Sequence, residues 1–150
     1  MKVSIGNDHG GYDLAAHLVE FLHKEHIEVL WHGTFSAESP VDYPDYAAQV
    51  GQDIYNNTSN FGILVCKTGI GMCIAANKIQ GIRAANCDKT KMAHLARTHN
   101  GANILCLGAQ FVTKIMAEKI VKTFINAQFS AGRHANRLQK ISALETRRLP

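Results

Sequence analysis

Long apolar runs are missing from this chain of 150 residues: none approaches the roughly 20 apolar residues that a bilayer span requires. The start, Met1-Lys2-Val3-Ser4-Ile5, also lacks the apolar stretch and cleavage site of a secretory leader, so a cytoplasmic protein is expected. Cysteine is sparse. Cys66, Cys73, Cys87 and Cys106 form no CxxC pair and stand at no zinc spacing with histidine, which argues for reduced thiols and against a metal centre. Internal repeats and low-complexity segments are lacking too, and no Pro- or Gly-rich linker divides the chain, so residues 1–150 read as a single domain. Two nucleotide signatures are missing: there is no GxxxxGK[ST], and Gly69-x-Gly71 lacks the third glycine of the dinucleotide fingerprint because Ile74 stands there. The net charge of +4 gathers late, in Arg133, Arg137, Lys140, Arg147 and Arg148, without interleaved aromatics or a nucleic-acid motif. A small anionic ligand suits such charge better than nucleic acid does.

What is present centres on Phe61 to Lys78. The apolar run Ile63-Leu64-Val65 leads into Cys66, then a polar turn with Thr68, Gly69 and Gly71, then an Ala-rich helical start. At such a join the first helical N–H groups have no intrahelical partner, and glycines let a bound oxygen approach them. A thiol ending the strand adds a side chain able to act as base or nucleophile. The plainer reading is a buried strand-end cysteine and a shaped turn.

Around this stretch the chain alternates. Lys2–Gly6 predicts a strand, Asn7–Gly11 its loop, and Tyr12–Lys24 an amphipathic helix with Leu14, Ala15, Leu18, Val19 and Leu22 on one face. Ile27–Trp31 predicts a second strand, and a helix starting near Tyr46, preceded by Pro44 and Asp45, runs to about Tyr55. Gly81–Ala85 and Asn103–Gly108 predict further strands. Helices are expected over Thr90–Arg97, Thr113–Phe129 and His134–Arg147. The pattern is that of an α/β protein, a three-layer α/β/α, Rossmann-like fold with a five-stranded parallel sheet. Ligands of such sheets lie beyond the strand C-termini where chain progression reverses, so a 2-1-3 strand order would bring the Asp8-His9 and Cys66–Gly71 loops to one crevice.

Asp8-His9, Asp42-Tyr43-Pro44, Cys66-x-Thr68-Gly69-Ile70-Gly71, Ala75-Ala76-Asn77-Lys78, Gly81-Ile82-Arg83-Ala84, His99-Asn100, Gly132-Arg133-His134 and Arg137, in this order, resemble the ribose-5-phosphate isomerase B family over nearly the whole chain. The resemblance implies an aldose–ketose isomerase of ribose 5-phosphate and ribulose 5-phosphate, free of metal and cofactor, working as a dimer or a dimer of dimers. It implies Cys66 as the base moving a proton between C2 and C1, Thr68 beside it, and the amides of the Gly69 to Cys73 turn as the enediolate hole. It implies His99 as ring-opening acid and base, assisted by Asp8, with Asn100 and Tyr43 at the sugar. Lys67, Gly69, Ile70 and Gly71 line the substrate, and His9, Arg133 and Arg137 hold its phosphate. Two positions depart from the family pattern: Lys67 replaces a common glycine, and Gln110 replaces a common arginine.

The bottom-up chemistry points the same way. Removing a proton beside a carbonyl needs a base in reach and a prepared site for the oxyanion. Guanidinium forks such as Arg133 and Arg137, four residues apart and on one face if the last helix starts early, suit a phosphate. Asp8 keeps a structural alternative as a helix cap, and Tyr43 one as packing. His17, His23, His26, His32 and His94 read as surface or helix residues, and Cys73, Cys87 and Cys106 as small core residues. Related possibilities are an allose- or galactose-6-phosphate isomerase and a sugar-phosphate sensor without turnover. A thiol redox role for Cys66 is disfavoured, since no partner stands two residues away.

Overall fold

Short apolar runs ending in polar, glycine-containing turns become the strands, and the periodic segments between them become the covering helices. The computed structural model describes residues 1–146. Its strands are β1 (Lys2–Asn7), β2 (Glu28–Trp31), β3 (Phe61–Cys66), β4 (Ala84–Asn86) and β5 (Ile104–Gly108). Its helices are α1 (Tyr12–Lys24), α2 (Tyr43–Tyr55), α3 (Ile70–Ala76), α4 (Thr90–Asn100), α5 (Lys114–Asn126) and α6 (Arg133–Thr146). A single 3-10 turn, His9–Gly11, joins β1 to α1. Every pairing is parallel and the order is β2-β1-β3-β5-β4, so the reversal falls between β1 and β3. This is the three-layer α/β/α, Rossmann-like arrangement that the sequence predicts.

The pleat sends alternate strand residues to two cores. Val3, Ile5, Ile63, Val65, Leu105 and Leu107 meet α1, α4 and α5 on one face. Leu64, Cys66, Ile104 and Cys106 meet α2 and α3 on the other. Burying each large side chain contributes roughly 1.5–3 kcal/mol. Two of the histidines that read as surface or helix residues also tie elements together. His17 Nε2 lies 2.7 Å from Glu118, linking α1 to α5, and His32 Nε2 lies 2.5 Å from Asp53, which also accepts from Ser4 Oγ at 2.6 Å.

Several boundaries differ from the sequence prediction, each for a local reason. β4 begins at Ala84 rather than Gly81, because the Asn103 side chain accepts from the Arg83 N–H at 2.8 Å and donates to the Gly81 carbonyl at 2.8 Å. Those bonds replace a regular ladder there. α2 starts at Tyr43, with Asp42 in extended backbone before it and Pro44 within the first turn, where its missing N–H costs nothing. α4 continues past Arg97 to Asn100 and stops at Gly101, whose φ of 54° is left-handed. α5 ends at Asn126, short of Phe129, and the expected last residue of α6, Arg147, lies outside the described residues.

Candidate active site

The crevice predicted at the strand C-termini forms from the ends of β1 and β3. Asp8 follows β1 directly; its N–H donates to the Val65 carbonyl at 3.3 Å, and its Oδ1 accepts the Gly11 N–H at 2.9 Å. It is therefore the cap of the 3-10 turn. Burial raises its pKa above the usual carboxylate value, a shift opposed by the Gly11 amide and by neighbouring His9. The turn can lie against β3 only because residue 11 is glycine: a Cβ there would stand 2.2 Å from the Val65 carbonyl oxygen.

Behind Asp8 runs a network with no signal in the residue pattern. Asn7 Oδ1 accepts from Trp31 Nε1 at 2.7 Å, while Asn7 Nδ2 donates to the carbonyls of Asp8 at 3.1 Å and Thr34 at 3.0 Å. Trp31 is stacked on Tyr12, with ring centroids 6.2 Å apart, and meets Phe35 edge-on at 4.7 Å. His9 Nδ1 accepts the Val41 N–H at 3.3 Å. With Nδ1 acting as acceptor, a neutral ring carries its proton on Nε2, free to donate to an anion.

Cys66 ends β3, is 5% exposed, and receives the Gly69 N–H at Sγ, 3.1 Å away. Gly69 has φ of 77°, a left-handed conformation that turns the chain from strand into α3. The Thr68 hydroxyl accepts the Ile70 N–H at 3.3 Å, and Asn86 Nδ2 donates to the Thr68 carbonyl at 3.3 Å. The Cys73 N–H is bonded to the Gly69 carbonyl at 3.1 Å, so the expected amide hole does not extend to Cys73. Among the described residues no acceptor meets the amides of Gly71 and Met72, which remain to receive an oxyanion. Tyr43 lies against Gly71: a Cβ on Gly71 would be 2.7 Å from its Cζ. Packing and facing the site are thus one placement for Tyr43.

The loop is fixed from the other side by β5, because Ala109 and Gln110 donate to the carbonyls of Cys66 at 2.9 Å and Lys67 at 3.1 Å. The two departures from the family pattern are consequently neighbours. Lys67 and Gln110 line one cavity of about 410 Å³ with His9, Gly10, Asp13 and Lys114. A second cavity of about 300 Å³ lies beyond Thr68 and Ile70, walled by Asn86, Asp88, Lys89 and Phe111.

His99, Asn100, Arg133 and Arg137 are not in this crevice. α4 carries the chain back to the start of β5, so His99 and Asn100 lie just before Ile104, at the opposite edge of the sheet. In register, Ile104 faces Gly62 and Gly108 faces Cys66, a separation of about 13 Å for four strand residues. At that edge the rings of His99 and His134 stack with centroids 4.3 Å apart and planes within 10°. Partial desolvation, the neighbouring His99 ring and the guanidinium groups of Arg133 and Arg137 hold the His134 pKa below the ordinary imidazole value. Arg133 and Arg137 are both exposed on the first turns of α6, and among the described residues neither has a carboxylate in ion-pair reach. The patch is cationic and open. A cavity of about 590 Å³ also belongs to this edge, with Arg83, Asn100, Ile141 and Leu144 among its walls and no residue of the Cys66 loop.

Among the described residues no three His, Cys, Asp or Glu side chains are grouped so as to hold a metal ion, and no helix is long and apolar enough to cross a membrane. A family profile described as Ribose/Galactose Isomerase matches residues 3–141. The chain is 42% identical over 147 residues to ribose-5-phosphate isomerase B of Escherichia coli, covering 98% of each protein. It superposes on the solved Clostridium thermocellum ribose-5-phosphate isomerase B with a TM-score of 0.94 at 46% identity, covering 97% of both chains. The Mycoplasma genitalium enzyme, solved with bound ribulose 5-phosphate, gives 0.93 at 39% identity and covers 98% of this chain and 97% of its own.

Proposed function

The chain belongs to the ribose/galactose isomerase family, and we propose that it interconverts D-ribose 5-phosphate and D-ribulose 5-phosphate through an enediolate. The observation that carries this reading is the pairing at one strand end of a buried thiol, Cys66, with unpartnered amides in the turn that follows it. Cys66 takes the proton from C2 and returns it to C1, and the Gly71 and Met72 amides stabilise the oxygen that becomes negative. Thr68 and Ile70 shape the floor and Tyr43 closes one side. Lys67, with Lys114 beside it, offers positive charge and His9 Nε2 a donor to the phosphate in the cavity where Gln110 offers no charge. Residues 1–150 act as one domain, in the cytoplasm, within the pentose phosphate pathway. The reaction needs no metal or cofactor.

His99, Asn100, Arg133 and Arg137 complete the site from a second copy of the chain. Within one chain they lie across the sheet from Cys66, whereas a two-fold dimer can place the cationic edge of one copy against the thiol crevice of the other. There His99, assisted by Asp8, moves the ring-opening proton, Asn100 contacts the sugar, and the two guanidinium groups grip the phosphate.

The activity is tested by converting ribose 5-phosphate in a coupled assay for ribulose 5-phosphate. Tight binding without turnover would favour a sensor, and a higher kcat/KM on allose or galactose 6-phosphate would favour the hexose reading. The shared site is tested by complementation. Cys66→Ala and His99→Asn chains, each inactive alone, are unfolded together and refolded at equal amounts. Random pairing makes half the dimers mixed, each with one intact site, so activity should recover to about a quarter of the unsubstituted protein. Activity no higher than the mean of the two separate variants would place both residues in one chain's site.

A further inference from the structure

α3 carries a second thiol, one turn beyond Gly69, that the isomerisation does not use. Cys73 is half-buried, with its Sγ 3.4 Å from the Ala84 carbonyl oxygen and 3.6 Å from Asn77 Nδ2. It packs against the core cluster that holds Cys66 and Cys106, the latter fully buried on β5, and the strand whose Ala84 carbonyl it touches pairs with β5 through Asn86 and Cys106. The Cys73 and Cys106 thiols are opposite in character. The Cys106 thiol, with help from Asn77, brings the Cys73 pKa down to about 7, while burial pushes the Cys106 pKa well up. Cys73 thus offers a thiolate at neutral pH, on the side solvent reaches, with a protonated thiol directly behind it.

We propose that Cys73 and Cys106 form a reversible disulfide when a hydroperoxide oxidises Cys73, and that this bond switches off the neighbouring site. The Cys73 thiolate attacks the terminal peroxide oxygen: an S–O bond forms, the O–O bond breaks, and the leaving alkoxide or hydroxide takes up a proton. The Cys106 sulfur then attacks the sulfenic sulfur; an S–S bond forms, the S–O bond breaks, and the hydroxyl leaves as water with the Cys106 proton. Two thiols and one hydroperoxide give a disulfide, an alcohol or water, and water.

The bond acts on the site through geometry, a step that rests on the isomerase reading. A disulfide holds its sulfurs about 2 Å apart, far closer than two unbonded thiols stand. Forming it draws α3 toward β5, and the Gly71 and Met72 amides at the head of that seven-residue helix move with it. A displacement on the order of 1 Å in a catalytic constellation costs roughly 10²-fold in rate.

The test treats the full chain with hydrogen peroxide, alkylates the remaining thiols and maps tryptic peptides without reduction. Trypsin separates all four cysteines, because Lys67, Lys78, Arg83, Lys89 and Arg97 lie between them. A Cys73–Cys106 cross-linked peptide with Cys66 alkylated is expected, together with a loss of turnover of about 10²-fold that dithiothreitol reverses. Cys73→Ser, compared with its own untreated activity, should keep its rate under the same treatment. Oxidation of Cys66 with Cys73 still reduced, the lack of the cross-linked peptide, or equal inactivation of Cys73→Ser would overturn the proposal. The peptide map is read without substrate, so it decides the disulfide even for a chain that fails to turn over ribose 5-phosphate.

Discussion

Replacing Cys66 by alanine is expected to lower kcat on ribose 5-phosphate by about 10²–10⁴-fold, the usual contribution of a positioned general base. KM should change by no more than a few fold, because the sulfur takes up the proton only as the transition state forms, while phosphate and hydroxyl contacts are made in the ground state as well. Alanine leaves the Gly69 amide without its 3.1 Å partner, a loss confined to the loop, so the fold should survive. Two measurements decide the assignment: steady-state constants, and exchange of the C2 proton with solvent deuterium. A variant that still exchanges that proton at near-normal rate would remove Cys66 from the base role.

The second large effect is expected at Gly69. Its φ of 77° already disfavours any side chain, by roughly 1–2 kcal/mol for a residue with a Cβ. Space is a harder constraint. A Cβ at Gly69 would lie 2.5 Å from Asn86 Oδ1, 2.9 Å from the Leu107 carbonyl carbon and 3.0 Å from the Gly108 nitrogen. The last two are backbone atoms of β5, held in the ladder against β3, so the loop rather than the strand must move. Gly69→Ala should lower kcat/KM by at least about 10²-fold, since the moving loop carries both the amide on Cys66 and the hole beside it. A clear fall in the unfolding temperature should accompany it. Gly132→Ala separates the two causes, because Gly132 also has positive φ, 56°, but nothing within 4 Å of its Cβ position. If both variants lose the same stability, the crowding against β5 contributes nothing.

Much of this could be read from the residues. Alternating apolar runs and amphipathic segments gave the layers, whereas the 2-1-3 strand order was only the condition under which the two polar loops share a crevice, and the sheet meets it. Strand and helix ends were less legible where a side chain from elsewhere takes over a backbone bond, as Asn103 does at Gly81 and Arg83. The position of His99 and Asn100 was within reach of topology: a helix that ends just before β5 must return to the edge away from Cys66. Family resemblance named these residues together without showing that one chain keeps them apart. The stacking of His99 on His134 and the bond from Val41 to His9 had no sequence signal, because each joins segments with no shared periodicity.

Trp31 has an optical consequence. It is the chain's one tryptophan, so all indole emission comes from a single ring, whose N–H reaches Asn7 and through it the backbone of Asp8. Any ligand that pulls on the Asp8-His9 loop changes the polarity around that indole. Anything that acts only at the far edge leaves it untouched. The protein therefore carries a built-in fluorophore that reports on the crevice and is blind to the far edge, and titrations can follow crevice occupancy without a label.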